Sequence, residues 1–131
     1  MAKSVHNNVL DAMLNFIVDN TDRLSVCSSQ PTTYSHAITS YMLAITSTVD
    51  ISSTAPADGV VSGRRVTIPQ NAGEASPLTV STGGTAQHVA LVGSVASTNT
   101  LLYVTTCTAQ ALIASGNVTV PAWDIEVRDP S

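Results

Sequence analysis

Charge is what this sequence has least of. Only 11% of the 131 residues are Asp, Glu, Lys or Arg, against the roughly 25% that is usual in globular domains. Ser and Thr instead supply about a quarter of the chain, and these hydroxyl residues suit strands and turns better than helices. Because a free monomer normally needs more surface charge to stay soluble, the composition predicts a subunit of a larger assembly.

Basic residues are too few and too scattered for binding to a polyanion. The five are Lys3, Arg23, Arg64, Arg65 and Arg128, and the net charge is −4. Direct nucleic-acid binding needs a basic patch or stripe, so we predict none. The one adjacent arginine pair would point to opposite faces of a strand, which favours solvated or ion-paired side chains over a phosphate clamp.

Long hydrophobic runs are also missing. The most apolar segment near the start, VLDAMLNFIV, is too short to span a bilayer and is interrupted by Asp11 and Asn15. No cleavable small-residue pattern follows it. We therefore expect no membrane contact, and synthesis in the cytoplasm.

Cysteine is scarce, and the spacing does not suit a metal site. Cys27 and Cys107 lie far apart without a CxxC pair, and the three histidines are dispersed, so no zinc site, other metal or cofactor is predicted. A disulfide would require neighbouring strands. The sequence favours two reduced thiols, as is usual for a cytoplasmic protein.

A catalytic constellation is not evident either. Serines are abundant, but no GxSxG elbow occurs. His6 and His36 are expected to face water, while His88, placed just before a Val and Leu run, is interpreted as a hydrogen-bonded structural residue. Asp124 and Glu126 share one face of a strand and are interpreted as solvated groups or as ion-pair partners of Arg128 or Arg64. We predict that the protein is not an enzyme.

One amphipathic helix is predicted over about residues 7–20. Its apolar residues recur at spacings of three and four, which places them along one side of a helix: Val9, Leu10, Met13, Leu14, Ile17 and Val18. Asn7 or Asn8 is the expected N-cap, Asp11 complements the positive end of the dipole, and NTD at residues 20–22 ends the helix. The candidate subunit-contact or core residues are Leu10, Met13, Leu14, Ile17 and Trp123.

The remainder of the chain reads as short strands separated by Pro and Gly. HVALVG and TLLYVTTCT form a hairpin joined by SVASTN. Alternation sends Val89 and Leu91 to one face and Ala90 and Val92 to the other, so both faces are apolar and need a cover, a second sheet on one side and a helix or neighbouring subunit on the other. Residues 38–53 read as mainly extended, and 109–116 as a helical turn or an irregular link.

The predicted fold class follows from this pattern. Seven or so short strands behind one helix indicate a mainly β protein, an antiparallel β-sandwich or jelly-roll-like fold with one N-terminal amphipathic α-helix. Residues 1–131 then form a single domain, which is a size that supports one modest core. We detect no internal repeat and no low-complexity linker.

Three segments resemble small structural proteins encoded by tailed bacteriophages: NNVLDAMLNFIVDNTDRLSVCSSQPTTYSHA, ADGVVSGRRVTI, and HVALVGS with TLLYVTTCT and VTVPAWDIEVRDP. This resemblance implies a virion component. We expect a non-enzymatic capsid decoration (cement) protein on the capsid surface, bound between capsomers. Its expected partners are the major capsid protein and further copies of itself, as a dimer or trimer. The alternative is a tail- or fibre-associated β-module that recognises a host-surface glycan through Tyr34, Tyr41 and Trp123.

Overall fold

The computed structural model describes residues 4–129. Across this range the protein is mainly β, with antiparallel sheets and one N-terminal α-helix, α1 (Asn7–Asn20), so the coarse fold class and the bounds of the helix are confirmed. The strands are β1 (Thr21–Cys27), β2 (Met42–Ile45), β3 (Ala57–Asp58), β4 (Arg64–Ile68), β5 (Leu78–Thr79), β6 (Gly84–Val95), β7 (Thr98–Leu112), β8 (Asn117–Val118) and β9 (Trp123–Val127). A π-helical turn (His36–Ser40) and a 3-10 turn (Gln70–Gly73) interrupt them.

Sheet A is the four-stranded antiparallel sheet with the order β2-β1-β6-β7. Its main feature is the β6–β7 hairpin that the sequence predicted. The two strands are joined by Ala96 and Ser97, whose φ angles are 49° and 67°. Two positive φ angles are typical of a type I′ turn, whose twist matches that of the strands it connects.

Both faces of sheet A are apolar, as the alternation along β6 predicted. We define the inner face by the side chains that belong to the larger buried cluster, Leu24, Val26, Val89 and Leu91. We define the outer face by those in a separate, smaller cluster, Cys27, Ala90 and Val92. The odd and even residues of a strand point to opposite sides, which is why one strand contributes to both clusters.

The covers of these two faces differ from the prediction. Helix α1 and sheet B, with the order β3-β4-β9, both lie on the inner side, because Leu14, Val66 and Ile125 share one buried cluster with Leu24 and Leu91. The outer side is covered by residues 34–41 of the same chain, which pack against the smaller cluster. The prediction placed a sheet on one side and a helix or a neighbouring subunit on the other. The sheet is found, but α1 lies on the same side as that sheet.

The ends of α1 show why the chain turns where it does. The N-cap is His6, whose Nδ1 accepts the backbone N–H of Asn8 at 3.1 Å, so the prediction of Asn7 or Asn8 was wrong. A ring nitrogen here takes the place of the usual side-chain oxygen. At the other end the chain enters β1 directly, and Gly93 on β6 makes this possible, because a Cβ at that position would overlap the carbonyl oxygen of Asn20.

Two local predictions also need correction. Residues 109–112 continue β7, since Gln110 and Leu112 pair with Ala86 and Gly84 of β6, and only the following link is irregular. In residues 38–53, β2 is the sole strand, and the preceding stretch is the π-helical turn. Neither a closed barrel nor a jelly-roll strand order is evident within the described range.

Candidate interaction surfaces

The three histidines lie in separate environments. His6 caps the helix, and His36 Nδ1 lies 3.1 Å from the hydroxyl of Thr32. His88 pairs in register with Cys27 and Thr106, and its Nδ1 is buried without a hydrogen-bond partner among the described residues. Residues 4–129 contain no group of three or more His, Cys, Asp or Glu side chains placed to hold a metal ion.

Arg64 connects the helix to sheet B. Its Nε lies 2.7 Å from Asp11 Oδ1, and its Nη1 lies 2.7 Å from Asp58 Oδ1. The hydrogen bonds to Asp11 and then to Asp58 raise the pKa of the guanidinium. Asp11 is thus the partner of a specific cation, whereas the sequence suggested that it complements the helix dipole.

The carboxylates of β9 are also paired. Asp124 accepts the hydroxyl of Thr67 at 2.6 Å and Arg65 Nη1 at 3.0 Å, and these bonds, the one from Thr67 first, lower the pKa of the carboxyl. Glu126 Oε1 lies 3.4 Å from Arg128 Nε. The sequence offered Arg128 or Arg64 as the partner of these carboxylates. Arg128 pairs with Glu126, but Asp124 pairs with Arg65, and Arg64 pairs with Asp11 and Asp58 instead.

Both cysteines are free thiols, as the sequence favoured. Cys27 is buried in the outer cluster, and Cys107 is half-buried beside the inner one. Burial disfavours the thiolate and raises the pKa of each thiol. Neither is therefore an activated nucleophile.

The predicted contact or core residues take different positions. Leu10 and Leu14 are buried, Ile17 is partly buried against the core, and Met13 is 52% exposed. Trp123 is partly buried, packs against the inner cluster and stacks on Tyr103 at a centroid distance of 5.7 Å.

Tyr34 and Tyr41 pack against the outer cluster, whereas Trp123 packs against the inner one. Rings that lie over opposite faces of sheet A cannot form one stacking surface. The structure therefore does not bring together the three aromatic residues on which the glycan-binding alternative depends.

Strand β7 forms a long open edge. It is the last strand of sheet A, pairs with β6 alone, and spans 15 residues. Its sequence, TNTLLYVTTCTAQAL, holds no charge and no proline. Charges, prolines and short length are the devices that usually protect an edge from pairing with another chain. This edge has none of these three, although two bulges in β7, at the register shifts Ala86/His88 and Leu91/Val92, interrupt it. The regular stretch between the bulges, residues 103–106, is open to strand addition.

An apolar cleft adjoins β7. It lies between that strand and residues 118–124, in two connected parts of about 260 and 210 Å³ that share four lining residues, Val89, Cys107, Val120 and Pro121. Trp123 lines one part, and its Nε1 is buried with no hydrogen-bond partner among the described residues. The sequence did not reveal this cleft, because β7 and residues 118–124 belong to different sheets and do not pair with each other.

Helix α1 carries a second apolar face, on the side opposite to the core. Val9, Met13 and Phe16 are 54%, 52% and 51% exposed. With Ala12 they line a shallow depression of about 530 Å³. The sequence analysis assigned Val9 and Met13 to the same side as Leu10 and Leu14, and the structure separates them.

No family model, no curated protein and no solved structure matches this chain. Within residues 4–129, no helix is both long and apolar enough to cross a membrane. The function must therefore be argued from the surfaces described above.

Proposed function

We propose that this protein is a non-enzymatic structural subunit of a phage particle, a capsid decoration protein that binds between capsomers. The observation that carries the proposal is the uncharged, 15-residue open edge of β7 beside an apolar cleft. A free edge of this length is a liability for a solitary soluble protein. In a subunit of an assembly, the same edge can pair with a strand of a neighbouring protein and is then no longer exposed.

The proposed mode of attachment is strand addition. An extended segment of the major capsid protein pairs with the free N–H and C=O groups of β7, which gives affinity, while its alternate side chains enter the cleft, which gives specificity. A modest affinity for each site is sufficient, because many copies on one shell act together.

The finer architecture belongs to the same proposal. We infer that sheets A and B are the two layers of an antiparallel sandwich related to a jelly roll, since both contribute side chains to one buried cluster. In this arrangement the edges of the layers, rather than their faces, meet the capsid. The protein is made in the host cytoplasm and acts on the capsid surface.

Binding to undecorated heads tests this function. Purified protein is titrated onto such particles, and the bound copies are counted after sedimentation. Saturation at a multiple of the capsomer number is expected. Failure to bind, or a handful of copies per particle, would remove the decoration role, and the second result would support a tail location.

A pair of charge variants tests the attachment site. Thr108 and Gln110 are exposed and line the cleft, so Thr108→Lys with Gln110→Lys places two charges where apolar side chains must enter. We expect the affinity for heads to fall by at least about tenfold, because desolvating an unpaired charge is costly. The matched control is Ser29→Lys with Gln30→Lys, exposed loop positions outside β7 and the cleft. Equal losses in both double variants would contradict the site.

A further inference from the structure

The outer face of α1 has the pattern of a helix that is covered on both sides. Leu10, Leu14 and Val18 are buried in the core, and the opposite side is formed by Val9, Ala12, Met13 and Phe16, which we call the outer helix seam. Only a narrow polar strip separates the two, formed by Asn8, Asp11, Asn15 and Asp19. A helix that is apolar on nearly all sides is normally buried.

The spacing of the outer helix seam suits a second helix. Its residues stand at i, i+3, i+4 and i+7, which is the repeat along which two helices pack knobs into holes. The small Ala12 lies among three larger side chains, and the depression they line offers a hole of about 530 Å³. The seam thus presents both the knobs and the hole, which makes it complementary to itself.

Charge selects the relative direction of the two helices. The seam itself is uncharged, the first turn of α1 contains no acidic residue, and the last turn contains no basic residue. Asp19 even adds negative charge near the C-terminal end, where the helix dipole is already negative. An antiparallel neighbour places each negative end beside a positive N-terminal end, whereas a parallel neighbour places like ends together.

We infer that two copies of this chain associate through their outer helix seams, antiparallel and about a two-fold axis close to Ala12 and Met13. In this pairing Val9 lies opposite Phe16 of the partner subunit, and the reverse contact is identical by symmetry. The inference goes beyond capsid binding and does not depend on it, because self-association is measured without particles.

The size of the seam sets the expected strength. Two turns of helix are a fraction of the roughly 800 Å² per partner that a standard interface buries. The dimer is therefore expected to be weak and concentration-dependent. Dimerisation brings two cleft-bearing edges into one particle-binding unit, which raises avidity.

Sedimentation equilibrium of the full chain tests the inference. The wild type is expected to shift from monomer to dimer with concentration. Phe16→Asp should weaken that association by at least about tenfold, since it removes an apolar knob and adds a charge to the seam. Val61→Asp is the matched control, because Val61 is an apolar residue with an exposed fraction of 70% outside the helix. It should leave the dissociation constant unchanged.

Cross-linking tests the direction of the pairing. Both reactants carry Cys107→Ser, which removes the half-buried native thiol; one also carries Val9→Cys and the other Phe16→Cys. An antiparallel pair gives a disulfide only when the two proteins are mixed. Disulfides formed within either protein alone would overturn the antiparallel arrangement.

Three results would overturn the inference altogether: a monomer at all concentrations, a trimer, or equal weakening by Phe16→Asp and Val61→Asp. If the protein is monomeric and Phe16→Asp abolishes binding to heads, the seam contacts the capsid instead of a second copy. Because Phe16 is half exposed, its variant should keep the far-UV circular dichroism and melting temperature of the wild type, which separates loss of association from loss of folding.

Discussion

The two faces of sheet A are both apolar, yet they are built differently. The inner face carries large side chains, such as Leu24 and Leu91, and is covered by a helix and a second sheet. The outer face carries small ones, Cys27, Ala90 and Val92, and is covered only by residues 34–41. Alternation along a strand thus predicts that other segments must pack on both faces. The size of the side chains then indicates which face carries the thicker layer, here the inner one.

Residues 34–41, which we call the outer cover, make few hydrogen bonds to sheet A. The hydroxyl of Ser25 donates to the carbonyl of Ala37 at 2.5 Å, and the backbone N–H of Ser28 donates to the carbonyl of Tyr41 at 2.9 Å. Tyr34, Ile38 and Tyr41 remain only partly buried. A segment with so little buried apolar surface is expected to open locally while the inner layers stay folded.

The largest expected effect contrasts the two faces directly. Leu91→Ala should lower the free energy of unfolding by about 2–5 kcal/mol, because Leu91 is fully buried among helix and sheet residues. Val92→Ala, one residue along and on the outer face, removes less volume beneath a looser cover and should cost roughly half as much or less. Urea denaturation monitored by circular dichroism measures both, and equal losses would contradict the distinction between the faces.

Ser25→Ala sharpens the comparison at the outer cover. It leaves the buried carbonyl of Ala37 without its short hydrogen bond, and a loss of about 1–3 kcal/mol is expected. Amide hydrogen exchange should accelerate in residues 33–41 and stay unchanged in β6. Ser28→Ala is the matched control, since its hydroxyl makes only a 3.5 Å contact with Tyr41. A uniform acceleration over both regions would show that the cover does not open on its own.

The reaction rates of the two cysteine thiols also test whether the outer cover opens independently of the inner layers. In the native protein Cys107, which is half-buried, should react with a thiol reagent faster than the buried Cys27, and both should react slowly near neutral pH because burial raises each pKa. Ser25→Ala should increase the rate at Cys27 by about tenfold, which corresponds to about 1.4 kcal/mol in the opening equilibrium, and leave Cys107 unaffected. Mass spectrometry of the labelled peptides separates the two sites.

The smallest expected effect concerns acid pH and sheet B. Bonds from Thr67 and Arg65 lower the pKa of Asp124 in the folded state. The resulting stabilisation is complete above the unfolded pKa of about 3.9 and is lost as the pH falls through the lower, folded pKa. Since Asp124 is partly exposed, Asp124→Asn should cost less than about 1 kcal/mol near pH 7 and flatten the decline in stability below pH 4. Urea midpoints at several pH values measure this, and a steeper acid decline in the variant would contradict it.

Local spacing explains why the sequence predicted α1 and the β6–β7 hairpin with useful accuracy. The same spacing misplaced Val9 and Met13, because apolar residues occupy both sides of α1 and sequence alone does not say which side meets the sheet. The extension of β7 through Leu112 was missed for a different reason: pairing with β6 overrode the weak helical preference of AQAL.

The interaction surfaces were only partly predictable. The lack of charge along β7 can be read directly from its sequence. That β7 ends the sheet, and that residues 118–124 form a cleft beside it, depends on how the three sheets pack together, which local spacing does not show. The sequence did not predict His6 as the N-cap residue, because histidine is uncommon there, although its ring nitrogen is a suitable hydrogen-bond acceptor.

The turn at Ala96 and Ser97 has a practical consequence for engineering. Both residues are exposed at the far tip of the longest hairpin, and both adopt a left-handed conformation that Asn-Gly favours more than Ala-Ser. Exposed tips with small residues accept inserted peptides more readily than the elements they join. An epitope grafted there would leave β7 and the helix unaltered, and on a decorated shell it would be displayed once for every bound copy.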